Sequence, residues 1–257
     1  MKDMPKPVIT EDELKKLSFK KPLPYLWKHS WLAYYEPDNA DSSILLKGCE
    51  YTSLKNETDY AYVAVYQDYV VICFQGTKGT VKAWAMDFDP YPLKADEYAG
   101  KFLKGKDGKG TIHDGFYTAW SYFKPAIKDL IKAFDLDKKI KPIFVTGHSR
   151  GGALAELCAR DLAKNLGIPC SCITFGSPAP GTKEYRNEFR LLPINGTRVQ
   201  NGWDLVCYLP PDEFGFRHGC AGFEQLPAPW WQKFIPSIRI RHHIQENYDK
   251  QIMKRMV

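Results

Sequence analysis

Ile143-Phe144-Val145-Thr146-Gly147-His148-Ser149-Arg150-Gly151-Gly152-Ala153-Leu154 decides the fold of this chain. The β-branched and aromatic residues up to Val145 suit a buried strand, whereas Ala153 to Arg160 (Ala-Leu-Ala-Glu-Leu-Cys-Ala-Arg) are strong helix formers. A strand that turns into a helix within so few residues forces an unusual backbone on the residue at the apex. Gly147 and Gly151 remove the Cβ atoms that would collide there. Ser149 is then held above a sheet at a helix N-terminus, where amide groups and the helix dipole favour developing negative charge. This is the G-x-S-x-G pattern of a nucleophile elbow. Chance supplies such a pattern roughly 0.1 times in a chain of this length, so its flanks matter. The helix after it stops at Gly167 with Pro169 just beyond, as helix ends commonly do.

Outward from the elbow, the chain reads as alternating strands and helices. Upstream, Tyr60 to Tyr66 and Tyr69 to Gln75 form two strand-like runs joined by Gln67-Asp68, a hairpin pattern. The second run ends in Gly76-Thr77-Lys78-Gly79, a loop whose backbone amides can approach a ligand closely. Such a loop lies at the carboxyl end of a strand, where α/β sheets carry their chemistry. Phe116, Trp120, Phe123, Ile127, Ile131 and Phe134 recur at helical spacing after His113, around an internal Pro125. Downstream, Cys172 to Phe175 and Thr197 to Gln200 are further strands. The order implies right-handed crossovers and a mostly parallel sheet with helices on both faces.

Near the N-terminus, Thr10-Glu11-Asp12-Glu13 reads as a capping box of a short helix that Pro22 and Pro24 interrupt. Trp27, Trp31, Leu32 and Tyr35 then give a second helix an aromatic face destined for the core. Residues 79–112 are too apolar for a linker and too irregular for core structure, and a flap is expected there.

At 257 residues and 44% hydrophobic content the chain is expected to be one α/β domain spanning 1–257. A net charge of +6, spread along the sequence, permits weak attraction to anionic interfaces, and no aromatic-basic motif points to nucleic acid. Seven cysteines in irregular spacing favour reduced thiols. No run reaches the length of a membrane span and no apolar leader follows Met1, so a soluble chain is expected, either cytoplasmic or exported with its leader absent. No H-E-x-x-H or similar ligand spacing occurs, and neither metal nor other cofactor is expected.

A serine needs a base, and histidine is the usual one. His148 adjoins Ser149 in sequence and should point away from it. His29 lies in a helix, His113 suits a core or capping role, and His218 sits in a polar loop. That leaves His242 and His243. Asp204, just past a strand end, fits the chain order serine, acid, histidine; Asp212 and Glu213 are the alternative acids.

The chain resembles the class 3 lipases, the fungal-lipase-like branch of the α/β-hydrolases, in order from about residue 60 to 248. The motifs are Phe74-Gln75-Gly76-Thr77, His113-Asp114-Gly115-Phe116, the elbow itself through Leu154, Thr174-Phe175-Gly176-Ser177-Pro178, Asn201-Gly202-Trp203-Asp204 with Pro210-Pro211, and His243-Ile244-Gln245-Glu246-Asn247-Tyr248. The resemblance implies Ser149 as nucleophile, Asp204 as acid and His243 as base, the last because the family's histidine commonly precedes a tyrosine five residues on. It also implies an oxyanion hole from Thr77 and the Arg150 amide, and a lid centred on 79–90 within the 79–112 stretch. The implied activity is hydrolysis of acylglycerol-type esters through an acyl-enzyme, with a lipid or small ester as substrate and transient contact with a lipid interface. A phospholipase A1 is the alternative, and a catalytically silent lipid-binding protein the alternative of another class. Trp84, Phe88, Trp230 and Trp231 are candidate substrate-binding residues, with the aromatics of 223–240 forming an acyl-binding wall, an interface contact or simple packing. Arg150 departs from the leucine common in the family. A cation at a helix N-terminus costs a few tenths to about 1 kcal/mol unless paired, so Arg150 is expected to bridge to an acid such as Asp87 or Asp89, or else to hold an anionic group.

Overall fold

Side chains on successive strand residues point to opposite faces of a sheet, and the hairpin upstream of the elbow divides its residues accordingly. In β2 (Tyr60–Val65) and β3 (Val70–Phe74), the residues Ala61, Val63, Val65, Val70, Ile72 and Phe74 enter one core; Tyr60, Tyr62, Ala64, Val71 and Cys73 enter another. Both faces are covered, so both strands read as continuous apolar runs. The computed structural model describes residues 22–78, 111–135 and 141–255. Within them the main sheet has seven strands in the order β1-β2-β3-β4-β5-β7-β9. They comprise β1 (Glu50–Lys55), the hairpin, β4 (Ile143–His148), β5 (Cys170–Phe175), β7 (Ile194–Asn201) and β9 (Gly222–Leu226). The β1–β2 and β2–β3 pairings are antiparallel, and every pairing from β3 onward is parallel. The short β6 (Gly181–Thr182) and β8 (Phe216–Arg217) pair separately.

One face carries α2 (Asp114–Asp135) and α3 (Arg150–Asn165), the helix that follows Ser149; α4 (Lys183–Phe189) contributes Tyr185 and Phe189 to the same core. The other face carries α1 (Pro22–Leu32) and the C-terminal α6 (Gln245–Met253), which follows the short α5 (Pro236–His242). This is the mostly parallel α/β-hydrolase architecture expected. Pro22 and Pro24 lie in the first turn of α1. Proline suits that turn because its missing amide would have no acceptor there. The Thr10 to Glu13 capping box lies outside the described residues, as does the 79–110 portion of the expected flap. Its last residue, Ile112, is buried and bridges to Gly181.

The aromatic stripe of α1 is core. Trp27 is wholly buried, with its ring 5.2 Å from both Phe175 and Tyr248 and 5.6 Å from His148, and its Nε1 donates to Asp249 at 2.9 Å. Truncating such a ring costs about 3–5 kcal/mol, so α1 is fixed against the strand ends that carry the elbow. All seven cysteines are free thiols, as expected.

Four histidines are held neutral by burial. The ordinary pKa of His29 is lowered to about 3, that of His113 to about 4, that of His218 to about 3, and that of His148 well below its usual range. His218 lies in the loop expected, just after β8, where its Nε2 donates to the Cys207 carbonyl at 3.0 Å and its Nδ1 faces Glu156 of α3 at 3.9 Å. In the unfolded chain these imidazoles take up protons below about pH 6.5, so stability falls as pH drops. Glu156 of α3 acts in the opposite sense. It is fully buried, accepts from the Gly219 amide at 2.8 Å, and burial pushes its carboxyl up to about 7. The folded state binds its proton more tightly, which offsets part of the histidine loss between pH 7 and 4.5. The melting temperature should therefore fall from pH 7 to pH 4.5, and fall more steeply in Glu156→Gln. Parallel melting curves of the two proteins would instead show that Glu156 is ionised in the fold throughout.

Candidate active site

Ser149 stands between β4 and α3 with φ 58° and ψ −133°, a conformation that non-glycine residues avoid. Its amide donates to the Phe175 carbonyl at 2.9 Å and its carbonyl accepts from Gly152 at 2.8 Å. Glycines on both sides allow the crossing to be this tight. A Cβ on Gly151 would meet the Gln75 carbonyl carbon at 2.8 Å, and one on Gly147 would overlap the Gly151 carbonyl. Arg150 is the first residue of α3, so its amide is among those a helix leaves without an intrahelical acceptor.

The loop from Gly76 to Lys78 is set beside this elbow by sheet register. Phe74 pairs with Gly147, so the chain beyond β3 runs past the start of α3. Gln75 Nε2 donates to the Ala33 carbonyl at 2.7 Å, and Lys78 pairs with Glu36, fastening the loop to the end of the α1 segment. Thr77 Oγ1 is buried and has no hydrogen-bond partner. An orphan hydroxyl of this kind, next to free helix amides, is a donor waiting for an anionic oxygen.

Asp204 and His243 come together from the far side. Both are fully buried, with His243 Nδ1 2.8 Å from Asp204 Oδ2 and 3.0 Å from Oδ1. A carboxylate only accepts, so Nδ1 donates and Nε2 presents its lone pair. That Nε2 is buried and without a hydrogen-bond partner, Ser149 Oγ included. Its ring stacks on His148, centroids 4.5 Å apart, which sets it against the residue preceding the serine. His148 itself points to the α1 side, hydrogen-bonded through Nδ1 to the Tyr34 hydroxyl at 2.8 Å. The Asp204 carboxylate also accepts from the Val206 amide at 2.9 Å and the Tyr248 hydroxyl at 2.7 Å. Tyr248 Oη in turn accepts from the Asn201 amide at 3.0 Å. The sequence marked Tyr248 only by its spacing from His243; its work, a third donor to the acid, needed the fold. Gly176 leaves room for this cluster, since a Cβ there would meet Asp204 Oδ2 at 2.8 Å, Tyr248 Oη at 2.9 Å and His243 Nδ1 at 3.0 Å.

The alternatives separate on geometry. His242 accepts from the Trp203 amide at Nδ1, 2.8 Å, and donates from Nε2 to Gln232 at 2.9 Å, so both its nitrogens are occupied. Asp212 and Glu213 are exposed. His113 is buried and its Nδ1 accepts from Gly115 at 3.2 Å, a capping contact. Arg150 pairs with Asp59, whose other oxygen accepts from Thr58 Oγ1 at 2.9 Å. The partner expected was Asp87 or Asp89; both lie outside the described residues, as do Trp84, Phe88 and the lid centred on 79–90. Register explains Asp59. The Gln75 amide donates to the Tyr60 carbonyl at 2.9 Å, which brings the start of β2 level with the elbow. Trp230 and Trp231 lie on an exposed 3-10 turn, Trp230–Phe234, 69% and 47% accessible. Among the described residues no group of acids, histidines and cysteines is arranged to hold a metal ion, and no helix is long and apolar enough to cross a membrane.

Residues 71–214 match the family described as Lipase (class 3). The chain is 37% identical over 107 residues to secreted mono- and diacylglycerol lipase 1 of Fusarium solani, covering 42% of this chain and 32% of that protein. It is 29% identical over 174 residues to phospholipase A1-II 3 of Oryza sativa subsp. indica, covering 56% and 39%. The chain thus spans between about a third and two fifths of the length of these curated relatives. Among solved structures, the triacylglyceride lipase of Rhizomucor miehei superposes with a TM-score of 0.68 at 22% identity, covering 91% of this chain and 94% of that one. At that identity the shared property is the fold. Because the match over 71–214 takes in more than half of the sequence, from β3 through the elbow to the acid-bearing turn, the chain belongs to the class 3 lipase family.

Proposed function

We propose that the protein is a serine carboxylic-ester hydrolase that cleaves acylglycerol-type lipid esters through an acyl-enzyme. The observation that carries this reading is the buried Asp204–His243 pair with its free Nε2, stacked against the strained turn that holds Ser149. Ser149 Oγ attacks the ester carbonyl as Nε2 takes its proton, and Asp204 holds the tautomer and stabilises the imidazolium. Thr77 Oγ1 and the Arg150 amide donate to the tetrahedral oxyanion. The proton on Nε2 passes to the departing alcohol. Water, deprotonated by the same nitrogen, then releases the fatty acid and restores Ser149.

The acylglycerol class is favoured over phospholipid by Arg150. It is the cation adjoining the nucleophile, and its guanidinium is engaged by Asp59. The phospholipase A1 name of the rice relative keeps the second reading specific. A product assay on triacylglycerol, monoacylglycerol and phosphatidylcholine separates the two: acid release from the acylglycerols is expected to dominate, and predominant release from phosphatidylcholine would overturn that preference.

On p-nitrophenyl esters, Ser149→Ala and His243→Ala are each expected to lower kcat by about 10⁴-fold or more, whereas His242→Ala keeps most of the activity. Equal inactivity of wild type and Ser149→Ala across short and long chains would assign the protein to lipid binding without catalysis. Thr77→Val should lower kcat by about 10²-fold with KM nearly unchanged; a change confined to KM would remove Thr77 from the oxyanion hole.

A further inference from the structure

The site described above uses none of the apolar side chains that crowd the surface beside it. Trp230 is 69% exposed, Trp231 47%, Phe234 66% and Ile235 37%, in one run of six residues, and Ile244 is 37% exposed next to His243. Single exposed hydrophobics are ordinary, but a contiguous group of large ones marks a surface made to be covered. The composition around it is one-sided. From Gln225 to Gln245 the chain carries Lys233, Arg239 and Arg241 and no acid. Of the flanking acids, Glu224 is paired with Arg255, and Glu246 lies in the first turn of α6. Lys233 Nζ lies 4.8 Å from the Phe234 ring centroid and 5.8 Å from that of Trp203, so cation and aromatic rings share one surface.

This surface is braced to the acid-bearing turn. Trp203 Nε1 donates to the Pro229 carbonyl at 3.0 Å, Gln232 accepts from His242 at 2.9 Å, and Arg239 Nε donates to the Trp203 carbonyl at 3.1 Å. Trp203 precedes Asp204, and His242 precedes His243. A surface that settles on this turn therefore presents itself to the catalytic pair with little freedom in between.

We propose that the Trp230–Phe234 turn with Ile235, Lys233 and Arg241 is a docking surface for anionic lipid membranes. The proposal rests on the ester-hydrolase reading only for its purpose, which is to seat the site on its substrate phase. Tryptophan and phenylalanine flanked by lysine and arginine match the layering of a bilayer interface, with rings at the level of the headgroups and cations against their phosphates. Each cation near an anionic leaflet strengthens binding by roughly five-fold at physiological ionic strength. A second copy of the chain is disfavoured as the occupant, because a two-fold contact would bring the same acid-free cationic patch against itself on a chain of net charge +6.

The test uses the full chain carrying Ser149→Ala, so that no lipid is consumed, in co-sedimentation with vesicles of phosphatidylcholine alone and of an equimolar mixture with phosphatidylglycerol. Binding to the mixed vesicles is expected to exceed binding to phosphatidylcholine by at least roughly ten-fold and to weaken with added salt. Adding Lys233→Glu and Arg241→Glu should abolish that preference, and adding Phe234→Ala should weaken binding to both vesicles. Melting temperatures of the Lys233→Glu/Arg241→Glu and Phe234→Ala proteins close to that of the Ser149→Ala protein show that they fold. Equal binding to both vesicles, or retention by the charge-reversed protein, would overturn the proposal. So would a dimer in solution that Phe234→Ala returns to monomer, which would assign the surface to a second copy. Anionic binding in a protein inactive on every ester would support the docking surface while removing the hydrolase reading.

Discussion

The arrangement depends on one backbone conformation, that of Ser149. A non-glycine residue at φ 58°, ψ −133° stores about 1–3 kcal/mol of strain, which persists only where the surroundings over-determine it. Here they do. The Ser149 amide is tied to β5 and its carbonyl to Gly152, and there is no side-chain room at Gly147 or Gly151 for the crossing to relax. The reward of the conformation is positional. It lifts a hydroxyl off the carboxyl edge of a parallel sheet at the amino end of a long helix, where the amides converge.

The two flanks of the elbow are held by different means. On the β3 side, main-chain register is enough: the strand pairing carries Thr77 past the start of α3, and Gln75 and Lys78 fasten the loop to residues 33 and 36. On the β7 side, the positioning is done by buried polar groups. Asp204 is fully enclosed and takes three kinds of donor, an imidazole, a tyrosine hydroxyl and an amide. Such a network holds one geometry because every member left unmatched would be a buried polar group without a partner. Among the buried side-chain atoms left without a partner are the Nε2 of His243 and the Oγ1 of Thr77, two atoms the proposed chemistry needs open.

The sequence made the parallel sheet, the elbow, the hairpin and the aromatic core face of α1 legible, because each rests on a local pattern: period two, helical spacing, or glycine where two backbones cross. It left β1 and β9 unread. Both are edge strands with mixed polar composition, and an edge strand needs no continuous apolar run. The residues alone left His242 and His243 open and only the family resemblance chose His243, because neighbours in sequence differ only in which way a helix end turns them. In the fold one has both nitrogens occupied and the other has one free. The work of Tyr248 and the part of Asp59 were hidden because each acts through a partner more than 40 residues away.

Arg150 brings these levels together. A cation at the first residue of a helix opposes the dipole, and a free guanidinium beside Ser149 would bias the site towards anionic groups. Pairing with Asp59, itself mostly buried, removes both effects while leaving the amide of the same residue free to donate. The side chain then works as a strut between the amino end of α3 and the start of β2, the strand adjoining the one that carries Thr77. A leucine could fill the space but could not fix that distance by charge, and an unpaired Asp59 buried there would be costly. The residue that departs from the family's habit is thus best understood with its partner, as a neutral ion pair tying α3 to the strand pair behind the Thr77 loop.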